Sequence, residues 1–169
     1  MKMLGFLLIS LSSALCGLCY ISLKKDRVSE LEAFSDMLTL MQGELLCRLS
    51  PLTELAAKLS ENTDGKARSF LKILAQNLEM LGERAFYDIW CESLNVCVSE
   101  LNKNELEAIK SLGNILGRYD VKTQTKAIDE VIEVLKRSAL HEKDQLPQLK
   151  RLSVGISASA GAILAILLV

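Results

Sequence analysis

The sequence predicts an all-α protein: an antiparallel helical bundle of about six helices between an N-terminal and a C-terminal transmembrane helix. Three observations predict it. Apolar residues recur at spacings of three and four, with no alternating stretch that would suit a strand. Only two prolines, Pro51 and Pro147, interrupt the 169 residues. The charges are also segregated. All 21 Asp and Glu lie within residues 24–149, and so do all 20 Lys and Arg except Lys2, Lys150 and Arg151. The two ends are therefore long apolar runs, and the middle is mildly acidic.

The first run covers residues 3–23 and the second residues 152–169. At 1.5 Å rise per residue they reach roughly 31 and 27 Å as helices, close to the ~30 Å hydrocarbon thickness of a bilayer. A signal peptide also begins with a basic residue and an apolar run, but this run is long for one, and Tyr20 sits where an interfacial aromatic anchors a span. Cys16 follows a bulky Leu15, which argues against a lipoprotein cleavage site. The expected organisation is a first span over residues 1–23, a helical body over 24–149 and a second span over 150–169. Lys24, Lys25 and Arg27 follow the first span, and Lys143, Lys150 and Arg151 precede the second. The positive-inside rule then puts the body in the cytoplasm and both termini across the membrane. Three cysteines in the body, Cys47, Cys91 and Cys97, cannot all pair with one another, which fits a reducing compartment.

Within the body, Leu31, Phe34, Leu38, Met41 and Leu45 form one apolar stripe on a helix continuing from the first span. Ser50 reads as an N-cap, with Pro51 at the first helical position and Leu52 beginning the next stripe, Leu52, Leu55 and Leu59. Asp64-Gly65 is expected to end that helix. Phe70, Leu74, Leu78 and Leu81 mark a third helix, stopped by Gly82, and Phe86, Ile89, Trp90 and Leu94 a fourth, running to about Leu101. Asn102 and Glu105 have capping-box spacing and open a fifth, with Leu106, Ile109, Leu112 and Leu116. Asp120 caps a sixth, carrying Val121, Ile128, Ile132, Leu135 and Ala139 toward the second span, where Pro147 is expected to break or kink it.

Candidate chemistry is sparse. The single histidine, His141, lies in the run His141-Glu142-Lys143-Asp144, read as a solvated face. Cys16 and Cys19 form a C-x-x-C inside an apolar run, with no second pair to complete a zinc site. The sequence lacks a G-x-x-x-x-G-K-[ST] phosphate loop, and its acidic body and few aromatics weigh against nucleic acid. The expectation is a chain without catalytic residues, metal or cofactor. Ser13 and Gly17 in the first span, and Ser157 and Gly161 in the second, are small pairs at i, i+4 that allow close helix packing.

The least expected feature is Gly113 and Gly117 at the end of the fifth helix, since glycine in a helix interior costs about 1 kcal/mol relative to alanine. Two readings stand. One is a tight helix–helix corner. The other makes Arg118, Asp120, Gln124 and Lys126 an exposed polar edge for a partner to grip.

The stretch Leu112-Gly113-Asn114-Ile115-Leu116-Gly117-Arg118-Tyr119-Asp120, followed by Gln124 and Lys126, resembles the LGxxLGxxD…Q.K pattern of the stage III sporulation protein AB family. Leu4-Gly5, Glu44, Ser50-Pro51-Leu52 and Trp90-Cys91-Glu92-Ser93-Leu94 agree in order along nearly the whole chain. The resemblance implies a protein of the mother-cell (outer forespore) membrane in an endospore-forming bacterium. Its body would be similar to the cytoplasmic domain of the type II secretion platform protein F. Its implied partners are the cytoplasmic ATPase of the same assembly, stage III sporulation protein AA, other membrane components of the channel, and the bilayer; a homo-oligomer is possible. The implied role is a non-enzymatic platform subunit. A pore-lining channel subunit is the alternative, weakened by spans that carry no charge.

Overall fold

The computed structural model describes the backbone of residues 2–47, 52–80 and 82–168, and side chains at residue 19 and from residue 22 to residue 147 within those ranges. Among the described residues the chain is entirely helical. Helix α1 covers Lys2–Cys47, α2 Leu52–Glu61, α3 Gly65–Asn77, α4 Phe86–Cys97, α5 Lys103–Ile115 and α6 Val121–Leu168, with a 3₁₀ turn at Leu78–Met80. The two apolar runs are thus the outer ends of the two longest helices. Among the described residues no helix is long and apolar enough to cross a membrane. The side chains of the apolar runs, including Ser13, Gly17, Ser157 and Gly161, lie almost wholly outside the described residues.

The chain divides into two units, Ser29–Ala139 and the pair of segments Met1–Val28 and Leu140–Val169. In the first unit the expected stripes form the core. Leu31, Phe34, Leu38 and Met41 of α1, Leu55 and Leu59 of α2, Phe70 and Leu74 of α3, Ile109 and Leu112 of α5, and Ile128 and Leu135 of α6 are all buried. The connection at residues 62–64 is too short for anything but a reversal, so α2 and α3 pack as an antiparallel hairpin.

Trp90 is the centre of this core. It is fully buried, its ring meets Phe70 edge-on at 4.9 Å and lies 5.8 Å from Phe86, and Phe34 extends the cluster at 5.9 Å from Phe70. An aromatic of this size removes roughly 200 Å² from water, on the order of 5 kcal/mol of transfer free energy. Its one polar atom is satisfied, because Nε1 donates to the Ile109 carbonyl at 2.9 Å.

Three expected boundaries change. Helix α2 ends at Glu61, and Asp64 instead stands at the N-cap position of α3, with Gly65 opening that helix at φ +63°. Helix α4 stops at Cys97, short of Leu101. There the chain turns extended at Val98, and the Ser99 N–H goes to the Glu30 carboxylate on α1 rather than continuing the helix. Pro147 does not end α6, which runs through it to Leu168. A proline removes one helical hydrogen bond, a loss that a helix this long tolerates. Gly82 does follow the 3₁₀ turn that terminates α3, with a φ of +117°.

In the second unit, Glu142 of α6 accepts from Lys24 Nζ at 2.6 Å and from Arg27 Nε at 2.9 Å, both on α1. The run at residues 141–144 is therefore not a uniform solvated face. His141, Lys143 and Asp144 are exposed, while Glu142 is buried between two cations. Burial by itself raises a carboxyl pKa, but the hydrogen bonds and charges of Lys24 and Arg27 outweigh it and hold Glu142 below its ordinary value.

Candidate interaction surface

The α5–α6 corner begins with a well-formed helix start. The Asn102 side chain accepts from the Glu105 N–H at 2.9 Å, and the Glu105 carboxylate accepts from the Asn102 N–H at 2.8 Å, completing the capping box. At the far end of α5 the two glycines do different work. Gly113 is buried against Trp90: a Cβ there would lie 2.9 Å from Trp90 Cδ1 and 3.0 Å from Cγ. Its missing side chain lets the indole reach the α5 backbone and donate to Ile109. Gly117 ends the helix. Its φ of +73° is the left-handed conformation that glycine adopts without strain, and it follows Leu116, whose N–H still bonds the Leu112 carbonyl at 2.8 Å.

Beyond Gly117 the loop is tied to α6 by Gln124, which is buried. Gln124 Oε1 accepts from the Gly117 N–H at 3.3 Å, and its Nε2 donates to the Tyr119 carbonyl. Asp120 caps α6, accepting from the Thr123 N–H at 3.1 Å and from the Thr123 hydroxyl at 2.7 Å. Those two hydrogen bonds favour the carboxylate and lower the Asp120 pKa. Of the four polar residues expected to form an edge, Asp120 and Gln124 therefore serve the corner itself. Arg118 and Lys126 point into solvent. Lys126 meets Glu130 at only 3.9 Å, with both side chains more than two-thirds exposed, a contact worth little. Lys122 and Tyr119 are exposed beside them.

Leu52, at the start of α2, leans on this corner: a Cβ on Gly117 would come within 3.1 Å of Leu52 Cδ1. Ser50 and Pro51 of the same motif lie outside the described residues.

The family model described as stage III sporulation protein AB matches residues 2–169. The chain belongs to the stage III sporulation protein AB family. A solved structure described as "Stage III sporulation protein AB (SpoIIIAB)" is similar in fold, with a TM-score of 0.63 and 20% sequence identity over 72% of this chain and 96% of that one. No curated protein matches the chain. In this member of the AB family the glycine corner is a folding device, with Arg118, Tyr119, Lys122 and Lys126 exposed on its outer side.

Sequence reasoning did not single out two charged clusters. One is the Lys24–Arg27–Glu142 group described above. The other joins three segments of the larger unit: Glu30 of α1 is buried, accepts from Lys66 Nζ of α3 at 2.6 Å and from the Ser99 N–H at 3.3 Å, and Lys66 also bonds the Ser99 hydroxyl. A serine beside a lysine suggests a nucleophile and base. Here the ammonium donates to a buried carboxylate, so the pair reads as a structural tie across the α4–α5 connection. Glu142 continues the buried spacing Ile128, Ile132, Leu135, Ala139, and that periodicity was the available signal for it. Among the described residues no group of three or more His, Cys, Asp or Glu is placed to hold a metal ion.

Proposed function

We propose that this chain is a membrane-anchored platform subunit of the assembly joining mother cell and forespore, coupling the cytoplasmic AA ATPase to membrane components of the channel. Membership of the stage III sporulation protein AB family along residues 2–169 is the observation that carries the reading. The apolar runs at residues 3–23 and 152–169 serve as membrane spans, the charged body faces the mother-cell cytoplasm, and both termini cross to the other side. The contact of Glu142 with Lys24 and Arg27 supports a hairpin, since it ties α1 to α6 within a few residues of where the expected spans end. A body built of helices, with its polar clusters engaged in capping and ion pairing, suits a scaffold that transmits contacts rather than turns over a substrate.

Topology gives a direct test. Cys47 is an exposed thiol of the body. A membrane-impermeant maleimide should leave it unlabelled in intact sporulating protoplasts and label it once the membrane is permeabilised. A cysteine placed after Val169 should show the reverse. Labelling of Cys47 in intact protoplasts would defeat the cytoplasmic-platform reading.

A further inference from the structure

The outer side of the α5–α6 corner has a definite chemical character. Asp120 and Gln124 spend their polar groups on the corner, and beside them Arg118 of the preceding turn and Lys122 and Lys126, one turn apart on α6, are exposed, with Tyr119 58% exposed next to Arg118. With the Asp120 carboxylate engaged by Thr123, the edge suggested by the sequence is predominantly cationic and aromatic.

That placement works against the fold. The first turn of a helix carries the positive end of its macrodipole, where acidic side chains are favoured and cations are not. Helix α6 has no acidic residue in its first turn and has Lys122 there. The stabilising contribution comes from the Asp120 cap alone. A cation in the first turn of α6, flanked by Arg118 before the helix and Lys126 one turn further on, sits on a body of mildly acidic net charge and asks for a role outside folding.

The ridge is also held in place before any contact. The Gly117 N–H and the Tyr119 carbonyl are both fixed by the buried Gln124 amide, and Asp120 locks the next turn. A rigid exposed Tyr flanked by Arg is the side-chain type that carries most of the energy at protein interfaces. Preorganisation lowers the ordering entropy lost on binding.

We propose that Arg118, Tyr119, Lys122 and Lys126 form a docking ridge for a carboxylate-rich surface of a partner protein. The inference rests on the platform reading in taking that partner to be the AA ATPase. A protein fits better than a nucleic acid, because three cations on an acidic body fall short of the extended basic surface that phosphate backbones require. Lysine and arginine at the rim set association rate and salt dependence, and the tyrosine supplies the apolar contact between them.

The test uses the full chain in sporulating cells. A photoreactive phenylalanine replaces Tyr119, and adducts are identified by mass spectrometry in the wild-type background and with Lys122→Glu or Arg118→Glu. The expected result is an adduct to an acidic peptide of the ATPase that falls about tenfold on charge reversal. Purified Lys122→Glu should unfold no more easily than wild type, because it removes a cation from the helix N-terminus; lost crosslinking with unchanged or raised stability separates a binding role from a structural one. An adduct to an acidic peptide of a different protein, equally sensitive to charge, would keep the ridge and defeat the ATPase reading. Adducts to this chain's own helices, to lipid or to nucleic acid, or an adduct indifferent to both reversals, would overturn the ridge.

Discussion

Replacing Gly113 with alanine sets two opposing effects against each other. In an ordinary helix interior the change is favourable by about 1 kcal/mol, because glycine loses more backbone entropy on folding. At Gly113 the new methyl carbon would stand 2.9, 3.0 and 3.2 Å from Trp90 Cδ1, Cγ and Cβ. These atoms lie at the root of the side chain, and the indole cannot swing aside. Its Nε1 is bonded to Ile109 at 2.9 Å, and Phe70 and Phe86 close its other sides at 4.9 and 5.8 Å. Overpacking of a rigid core costs about 1–3 kcal/mol, and a contact this close to the root of a fixed side chain belongs at about 2–3 kcal/mol, from which the propensity gain is subtracted. We therefore expect Gly113→Ala to destabilise by about 1–2 kcal/mol in net. Gly43 supplies the internal control. It lies within α1 with nothing inside 4 Å of a would-be Cβ, so Gly43→Ala should stabilise by up to about 1 kcal/mol. Urea unfolding of the purified chain in detergent micelles, followed by fluorescence of its single tryptophan, measures both. If Gly113→Ala proved as stable as wild type while Gly43→Ala gained as expected, the claim that Gly113 exists to admit Trp90 would be wrong.

Other substitutions test the remaining devices. Gly117→Ala should destabilise by about 1 kcal/mol through the left-handed backbone, with Gly117→Asn milder because asparagine tolerates that conformation; the contact with the flexible end of Leu52 adds little in either case. Asn102→Ala removes the capping box of α5 and should cost about 1 kcal/mol in the same unfolding assay. Glu142→Gln should cost about 1–3 kcal/mol at neutral pH by leaving Lys24 and Arg27 without their carboxylate. Because the folded pKa of Glu142 is lowered, its stabilisation is full above the unfolded carboxyl pKa and disappears as pH falls through the folded value. The difference between wild type and Glu142→Gln should therefore shrink on acidification. A gap that widened toward low pH would contradict the assignment.

How much of this was legible in advance varied with the distance over which each feature is determined. The helices were legible because their cause is local: the buried stripes Leu31–Phe34–Leu38–Met41 and Ile128–Ile132–Leu135–Ala139 follow helical spacing, and Asn102 with Glu105 specifies its cap within four residues. Gly117 fits a helix stop ahead of the Asp120 cap in the sequence alone, but the role of Gly113 was not legible there. Gly113 answers to Trp90 on another helix, whereas Gly117 answers to its own backbone angle. Asp64-Gly65 reads equally well as a stop or a start, and in the structure it opens α3. Helix α4 ends early because Ser99 turns to Glu30, a partner 69 residues away. Glu142 hid in a charged run because periodicity, not composition, buries it. The polar edge at the corner was found as a set, but only the geometry divides it into Gln124, buried, and Asp120, engaged in capping, and Arg118 and Lys126, which face solvent.

The measurement that bears most directly on the platform claim is recruitment of the purified AA ATPase to liposomes carrying the full-length chain. The account predicts that the ATPase sediments with these vesicles and not with empty ones, and that raised salt or the combined change Arg118→Glu, Lys122→Glu and Lys126→Glu releases it. An ATPase that stays in the supernatant at all salt concentrations, with the chain inserted and folded, would contradict a platform that couples that ATPase to the membrane.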